Sequence, residues 1–202
     1  MPRTVSQSAD RVRLGHEAPY SFDCFDEFLA TDYAPESCRA VLLGCRDGRT
    51  AIYLARKGFA VLGIDPDREL LSGARERAAM ADVSLDLMAG EPLGLPPLPE
   101  ESFGLIVDLW TAAELPDGLE RMEFLASLRK LLRRDGILIS SAPAPKPKPR
   151  PKEGAPGQDR HRTYAFSNAF VSDFTRAGFT VLFEAIRPSP PGDLRRLIHA
   201  RR

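Results

Sequence analysis

Two stretches decide the reading of this chain: Ala40-Val41-Leu42-Leu43-Gly44-Cys45-Arg46-Asp47-Gly48 and, further on, Ala60-Val61-Leu62-Gly63-Ile64-Asp65. The apolar run from Ala40 to Leu43 is too short for a helix and is stopped by Gly44, so it reads as a strand buried on both faces. From Thr50 the residues Ala51, Ile52, Leu54 and Ala55 recur with helical spacing, and Gly58 stands where a C-terminal cap belongs. Ala60 to Ile64 is then a second buried strand, closed by Asp65. A parallel strand pair joined by a helix has both carboxyl ends on one edge of the sheet. Here the first end carries a glycine turn that lets a ligand approach the backbone, and the second carries an acid able to accept both hydroxyls of a ribose. That is a nucleoside-binding half-site.

These residues resemble the class I S-adenosylmethionine-dependent methyltransferase family. In that family the first strand carries an acid two positions before a G-x-G-x-G turn. Gly44 and Gly48 keep the outer glycines, while Leu42 replaces the acid and Arg46 the middle glycine. A dinucleotide fingerprint, G-x-G-x-x-G, fits less well, because it needs glycines where Arg46 and Arg49 stand. Asp65-Pro66-Asp67 matches the family's second motif, whose acid holds the ribose. Gly90-Glu91 stands where the family has a G-D pair contacting the adenine amino group, and Leu95 to Phe103 resembles its proline-containing loop. The resemblance spans residues 36–200. It implies a Rossmann-like, doubly wound α/β fold: a mostly parallel seven-stranded sheet with a C-terminal antiparallel hairpin and helices on both faces. It also implies S-adenosylmethionine as cofactor and S-adenosylhomocysteine as product, held by Gly44, Cys45, Arg46, Gly48, Asp65, Pro66, Glu91 and Asp108.

The composition narrows the setting. The 202 residues suffice for one domain with a full core. The chain divides into an N-terminal extension and cap helix over 1–35 and the α/β domain over 36–200. Lys+Arg and Asp+Glu number 28 each, so nothing in the charge balance calls for nucleic acid or an anionic membrane. Cys24, Cys38 and Cys45 lack C-x-x-C spacing and come with no secretory leader, which points to reduced thiols and a cytoplasmic location. No metal site is expected, because His16, His161 and His199 are scattered.

Along the chain, Ser21 can cap a helix with Phe22, Phe25, Phe28 and Leu29 on one face, either core or a cover for the cleft. Arg68 to Met80 reads as a helix with Leu70, Leu71, Ala74 and Ala78 inward and its charges solvated. Ser84 to Leu87 reads as an edge strand, and Leu105 to Leu109 as a fourth buried strand. Asp117 can cap a long helix burying Leu119, Met122, Leu125, Leu128 and Leu132 and ending at Gly136, before a fifth strand, Ile137 to Ser140. Residues 142–157 alternate proline with Ala144, Lys146, Lys148 and Arg150, which predicts an exposed, extended loop. That loop is either a spacer or a basic strip for an acidic partner. A helix from Ser167 to Gly178 and two strands, Thr180 to Ala185 and Leu194 to Ala200, complete the chain; their short connection makes the strands antiparallel.

Methyl transfer by in-line displacement asks mainly for alignment and exclusion of water, with a base where the acceptor must lose a proton. Candidate bases are Asp108, Glu114 and His161. Candidate acceptor platforms are Tyr20, Trp110 and Tyr164. The missing N/D-P-P-Y/F tetrad after the fourth strand lowers amino-directed nucleic-acid and protein-glutamine substrates and leaves a small-molecule acceptor. The alternative is an inactive methyltransferase-like domain serving as a binding or regulatory module, for which Leu42, Arg46 and Gly104 speak.

Overall fold

The structure is a computed structural model and describes residues 22–116, 118–144, 168–189 and 193–202. Seven strands form one sheet: β1 Arg39–Leu43, β2 Ala60–Asp65, β3 Asp86–Ala89, β4 Phe103–Asp108, β5 Leu132–Pro143, β6 Thr180–Ser189 and β7 Asp193–Arg201. Their order is β3-β2-β1-β4-β5-β7-β6. The first five are parallel, and β7 runs antiparallel to both β5 and β6. The helices are α1 Phe22–Leu29, α2 Arg49–Arg56, α3 Arg68–Met80, α4 Thr111–Glu114, α5 Leu119–Leu131 and α6 Asn168–Arg176. The expected doubly wound sheet with its antiparallel C-terminal pair is present.

Strand alternation divides the core into two layers. Val41, Leu43, Ile106 and Leu138 face α5 and α6, meeting Leu125, Leu128, Phe170 and Phe174. Ala40, Leu42, Leu105, Val107 and Ile139 face the other way, toward α1, α2 and α3, where Phe25, Phe28, Leu54 and Leu71 cover them. α1 is also tied to α2: Phe22 stacks on Tyr53 with centroids 4.6 Å apart, and Asp26 accepts from the Tyr53 hydroxyl at 2.5 Å and from Lys57 Nζ at 2.6 Å.

Several boundaries differ from the sequence reading. β3 occupies Asp86–Ala89 rather than starting at Ser84, because its register is set by Leu62 to Asp65 of β2. α5 stops at Leu131, and Leu132 already pairs with Phe103 of β4. Gly136 therefore lies within β5, after an exposed bulge in which Asp135 takes φ 61°. Leu119 is 69% exposed, and the buried side of α5 holds Arg121 and Phe124 instead. Ala142 and Pro143 continue β5 opposite Arg196 and Arg195, and the Ala144 N–H donates to the Leu194 carbonyl at 2.7 Å, so the proline segment does not begin at 142. Its residues from 145 to 157 lie outside the described residues, as do Ser21, Asp117 and Ser167.

Gly104, where the resemblance expects an acid, is explained by packing. A Cβ there would lie 2.5 Å from Cys38 Sγ and 3.1 Å from Arg133 Nε, so a side chain at 104 would displace Cys38.

Candidate functional site

The carboxyl ends of β1, β2 and β3 are knotted together by one residue. Asp65 closes β2 and is 4% exposed. Its Oδ2 accepts the Arg46 N–H at 2.7 Å and its Oδ1 the Asp67 N–H at 3.0 Å, while its carbonyl accepts from Gly90, just past β3, at 3.1 Å. A carboxylate accepting backbone amides in a water-poor setting makes strong, short hydrogen bonds. Each oxygen still has a second lone pair, which is what a ribose diol needs.

The turn itself is left-handed at several points. Gly44 has φ 64°, Arg46 φ 50° and Gly48 φ 80°. The two glycines do different work. A Cβ on Gly48 would sit 2.7 Å from Ala74 Cβ, so Gly48 lets α3 pack against the turn. A Cβ on Gly44 would meet nothing within 4 Å, so its bare face opens on unfilled space. Arg46 adopts the glycine-like conformation as a non-glycine residue, at a cost of roughly 1–2 kcal/mol, offset locally by the Asp65 hydrogen bond. Arg77, expected on a solvated face, instead donates to the Asp47 carbonyl at 2.9 Å and braces the turn from α3.

The other expected cofactor contacts are distributed as follows. Cys45 is buried and its N–H donates to the Ile64 carbonyl at 3.1 Å; burial, reinforced by the Asp65 charge, pushes its thiol up to about 12. It is a packing group, not a nucleophile. Pro66 and Glu91 are exposed, and the Glu91 carbonyl accepts from Gly94 at 3.1 Å. Leu42 is 1% exposed and points into the α1–α3 layer, so the family's acid has given way to core.

Past β4 the picture changes. Asp108 is fully buried, and its two oxygens accept the Thr111 N–H at 2.8 Å and the Ala112 N–H at 2.9 Å, which starts α4. Burial raises its pKa, against the pull of those amides. Glu114 lies at the exposed end of α4, and Trp110 is half-buried before it. His161, Tyr20 and Tyr164 lie outside the described residues. Among the described residues no group of three His, Cys, Asp or Glu side chains could hold a metal ion, and no helix is long and apolar enough to cross a membrane.

Two arrangements at this end escaped the sequence reading. Arg195 of β7 stacks on Trp110, its Cζ 3.6 Å from the ring centroid, and its Nη1 donates to Ser141 Oγ at 3.3 Å. Arg121 of α5, 0% exposed, donates through Nε to the Ala112 carbonyl at 2.8 Å, through Nη2 to the Leu115 carbonyl at 2.5 Å and through Nη1 to Asp173 of α6 at 3.1 Å. It therefore anchors the loop that carries Trp110 and Glu114. In sequence both arginines look like ordinary surface charges; only the pairing of distant elements gives them away.

Comparison with known proteins follows this geometry. The family model for the methyltransferase domain matches residues 41–140, from β1 into β5. A protein of Geobacillus sp. (strain WCH70) that carries a methyltransferase name is 25% identical over 130 residues, covering 63% of this chain; the chain spans only 52% of that relative's length. Among solved structures, a (4+2)-cyclase superposes with TM-score 0.69 at 16% identity, covering 89% of this chain and 80% of its own. Magnesium protoporphyrin IX methyltransferase from Synechocystis PCC 6803, with S-adenosylmethionine bound, gives 0.65 at 20% identity, covering 89% and 77%. Those two likenesses concern the fold. With the domain match and the strand order, the chain carries a methyltransferase domain in the class I, Rossmann-like fold.

Proposed function

We propose that this protein binds S-adenosylmethionine across the carboxyl ends of β1 to β3 and transfers its methyl group to a small-molecule acceptor lying over β4 and β5. The observation that carries the reading is the open face of Gly44 beside Asp65: at the first turn a Cβ meets nothing, while the neighbouring glycine is packed shut. In this assignment Gly44 lies against the cofactor, Asp65 accepts from the ribose, and Pro66 and Glu91 flank the adenine. Gly48, Cys45 and the Arg46 backbone shape the turn. S-adenosylmethionine supplies a sulfonium methyl, and its departure to a nucleophilic acceptor leaves S-adenosylhomocysteine.

The chain's own part is alignment and exclusion of water. Where the acceptor must lose a proton, Glu114 is the described candidate that fits, because the Asp108 oxygens are committed to α4 and closed to solvent. The (4+2)-cyclase among the structural neighbours is a reminder that this fold hosts more than one chemistry. The test is incubation with methyl-labelled S-adenosylmethionine and a deproteinised small-molecule extract, with protein and nucleic acid supplied separately. Label in the small-molecule fraction is the expected result. Label in either macromolecular fraction overturns the acceptor class. A folded chain that binds no S-adenosylhomocysteine is instead a binding or regulatory module.

A further inference from the structure

In the proposed assignment the adenine lies beside Glu91 and the ribose on Asp65, so along the order β3-β2-β1-β4 the amino-acid end of the cofactor runs on over the turn that follows β1. Arg46 stands in that turn, half-buried, with the backbone of a glycine at φ 50°. Its hydrogen bond to Asp65 comes from the backbone N–H. A glycine would make the same bond without the strain, so that bond does not account for an arginine. Backbone strain kept at one residue points to work done by its side chain. Among the described residues the Arg46 guanidinium has no hydrogen bond, ion pair or ring contact, and the acids around it already hold other groups. Asp47 is paired with Arg49 at 3.0 Å and reached by Arg77 at 3.9 Å, Asp65 takes the Arg46 and Asp67 amides, and Asp67 caps α3 through the Glu69 and Leu70 N–H groups. Leu42, the last residue but one of β1, brings no charge and lies in the core. α2 starts at Arg49 behind Gly48, a cap with no side-chain hydrogen bond, so the positive end of that helix meets the same turn. A guanidinium fork and a helix N-terminus at one turn suit a carboxylate.

Resting on the methyltransferase reading above, we propose that Arg46 binds the cofactor through its side chain, the guanidinium pairing with the α-carboxylate at the amino-acid end of S-adenosylmethionine and S-adenosylhomocysteine. Calorimetry with S-adenosylhomocysteine and with its decarboxylated analogue, which keeps the ammonium, isolates that contact. The wild type should bind the decarboxylated analogue at least about tenfold more weakly. In Arg46→Met the two ligands should bind within about threefold of each other, because only S-adenosylhomocysteine loses a contact. Arg46→Gly removes the strain along with the side chain, so it covers a failure of the first variant to fold. It should show the same levelling of the two ligands, whatever its overall affinity. If Arg46 merely shaped the turn, its replacement would change both affinities together and leave their ratio as in the wild type. Wild-type binding of the analogue as tight as that of S-adenosylhomocysteine, or a ratio unchanged in either folded variant, overturns this inference alone and leaves the methyltransferase reading in place. A wild type that binds neither ligand overturns both.

Discussion

Replacing either member of the Arg121–Asp173 pair should be far more damaging than any surface substitution, and replacing both should not. The two side chains are 0% and 1% exposed and 3.1 Å apart. Taking one ion of a buried pair away leaves the other uncompensated, which costs about 3–5 kcal/mol. Without Arg121, Asp173 keeps the Gly118 N–H at 3.3 Å and the exposed Arg176 at 3.6 Å, and without Asp173 the guanidinium keeps Phe170 and the Ala112 and Leu115 carbonyls, so Arg121→Met and Asp173→Leu should each cost about 3–5 kcal/mol. Against a typical total of about 5–15 kcal/mol, either change takes a large fraction of the stability. The double variant Arg121→Met/Asp173→Leu restores an apolar contact between α5 and α6 and should recover most of the loss, for a coupling of about 2 kcal/mol or more. Urea denaturation followed by circular dichroism reads this: at a slope of about 1–3 kcal/mol per molar, the single variants lose about 1 M or more at the midpoint. Singles costing under about 1 kcal/mol, or a double variant as unstable as their sum, would refute the reasoning.

Three further outcomes are expected. His199 is 3% exposed, bonded to the Tyr33 hydroxyl at 2.9 Å and stacked on Phe183, and burial lowers its pKa to about 4. The unfolded chain, with histidine near 6.5, then binds more protons, so stability is full above pH 6.5 and falls by up to about 3 kcal/mol as pH drops to 4; denaturation midpoints should show this slope, and His199→Phe should remove that share of it. Asp65→Asn keeps the shape of the side chain but leaves one amide donor facing the Arg46 or Asp67 N–H, so S-adenosylhomocysteine should bind at least tenfold more weakly, about 1.4 kcal/mol, in calorimetry of the folded variant. Gly48→Ala combines a left-handed backbone with a 2.7 Å approach to Ala74 and should lower stability by about 2–4 kcal/mol in thermal melts.

The parallel half of the fold was legible because β1, β2 and β4 are short apolar runs stopped by turn residues, a pattern that only a doubly covered strand tolerates. The resemblance extended that reading to the hairpin, and the short link between β6 and β7 fixed their direction. What escaped has a common cause. Arg121, Arg195 and His199 are polar side chains whose packing depends on partners more than fifty residues away, or on another strand altogether, and no local spacing announces such a pair. The end of α5 was misplaced for a related reason: Leu132 continues the helical spacing of Leu125 and Leu128, yet pairing with Phe103 draws it into the sheet. At the glycine turn the sequence exposed the substitutions at 42 and 46. Only the structure shows that Leu42 serves the core while Arg46 is held by Asp65.

The central claim is that the space before Gly44 is occupied by the cofactor, and calorimetric titration of the wild type and Gly44→Ala with S-adenosylhomocysteine tests it most directly. A methyl group there meets no protein atom, so the variant should fold with only the left-handed backbone cost, about 1–2 kcal/mol. The account predicts saturable binding by the wild type and at least a tenfold loss in the folded variant. A wild type that gives no binding heat, or a folded Gly44→Ala that binds as tightly as the wild type, would contradict it.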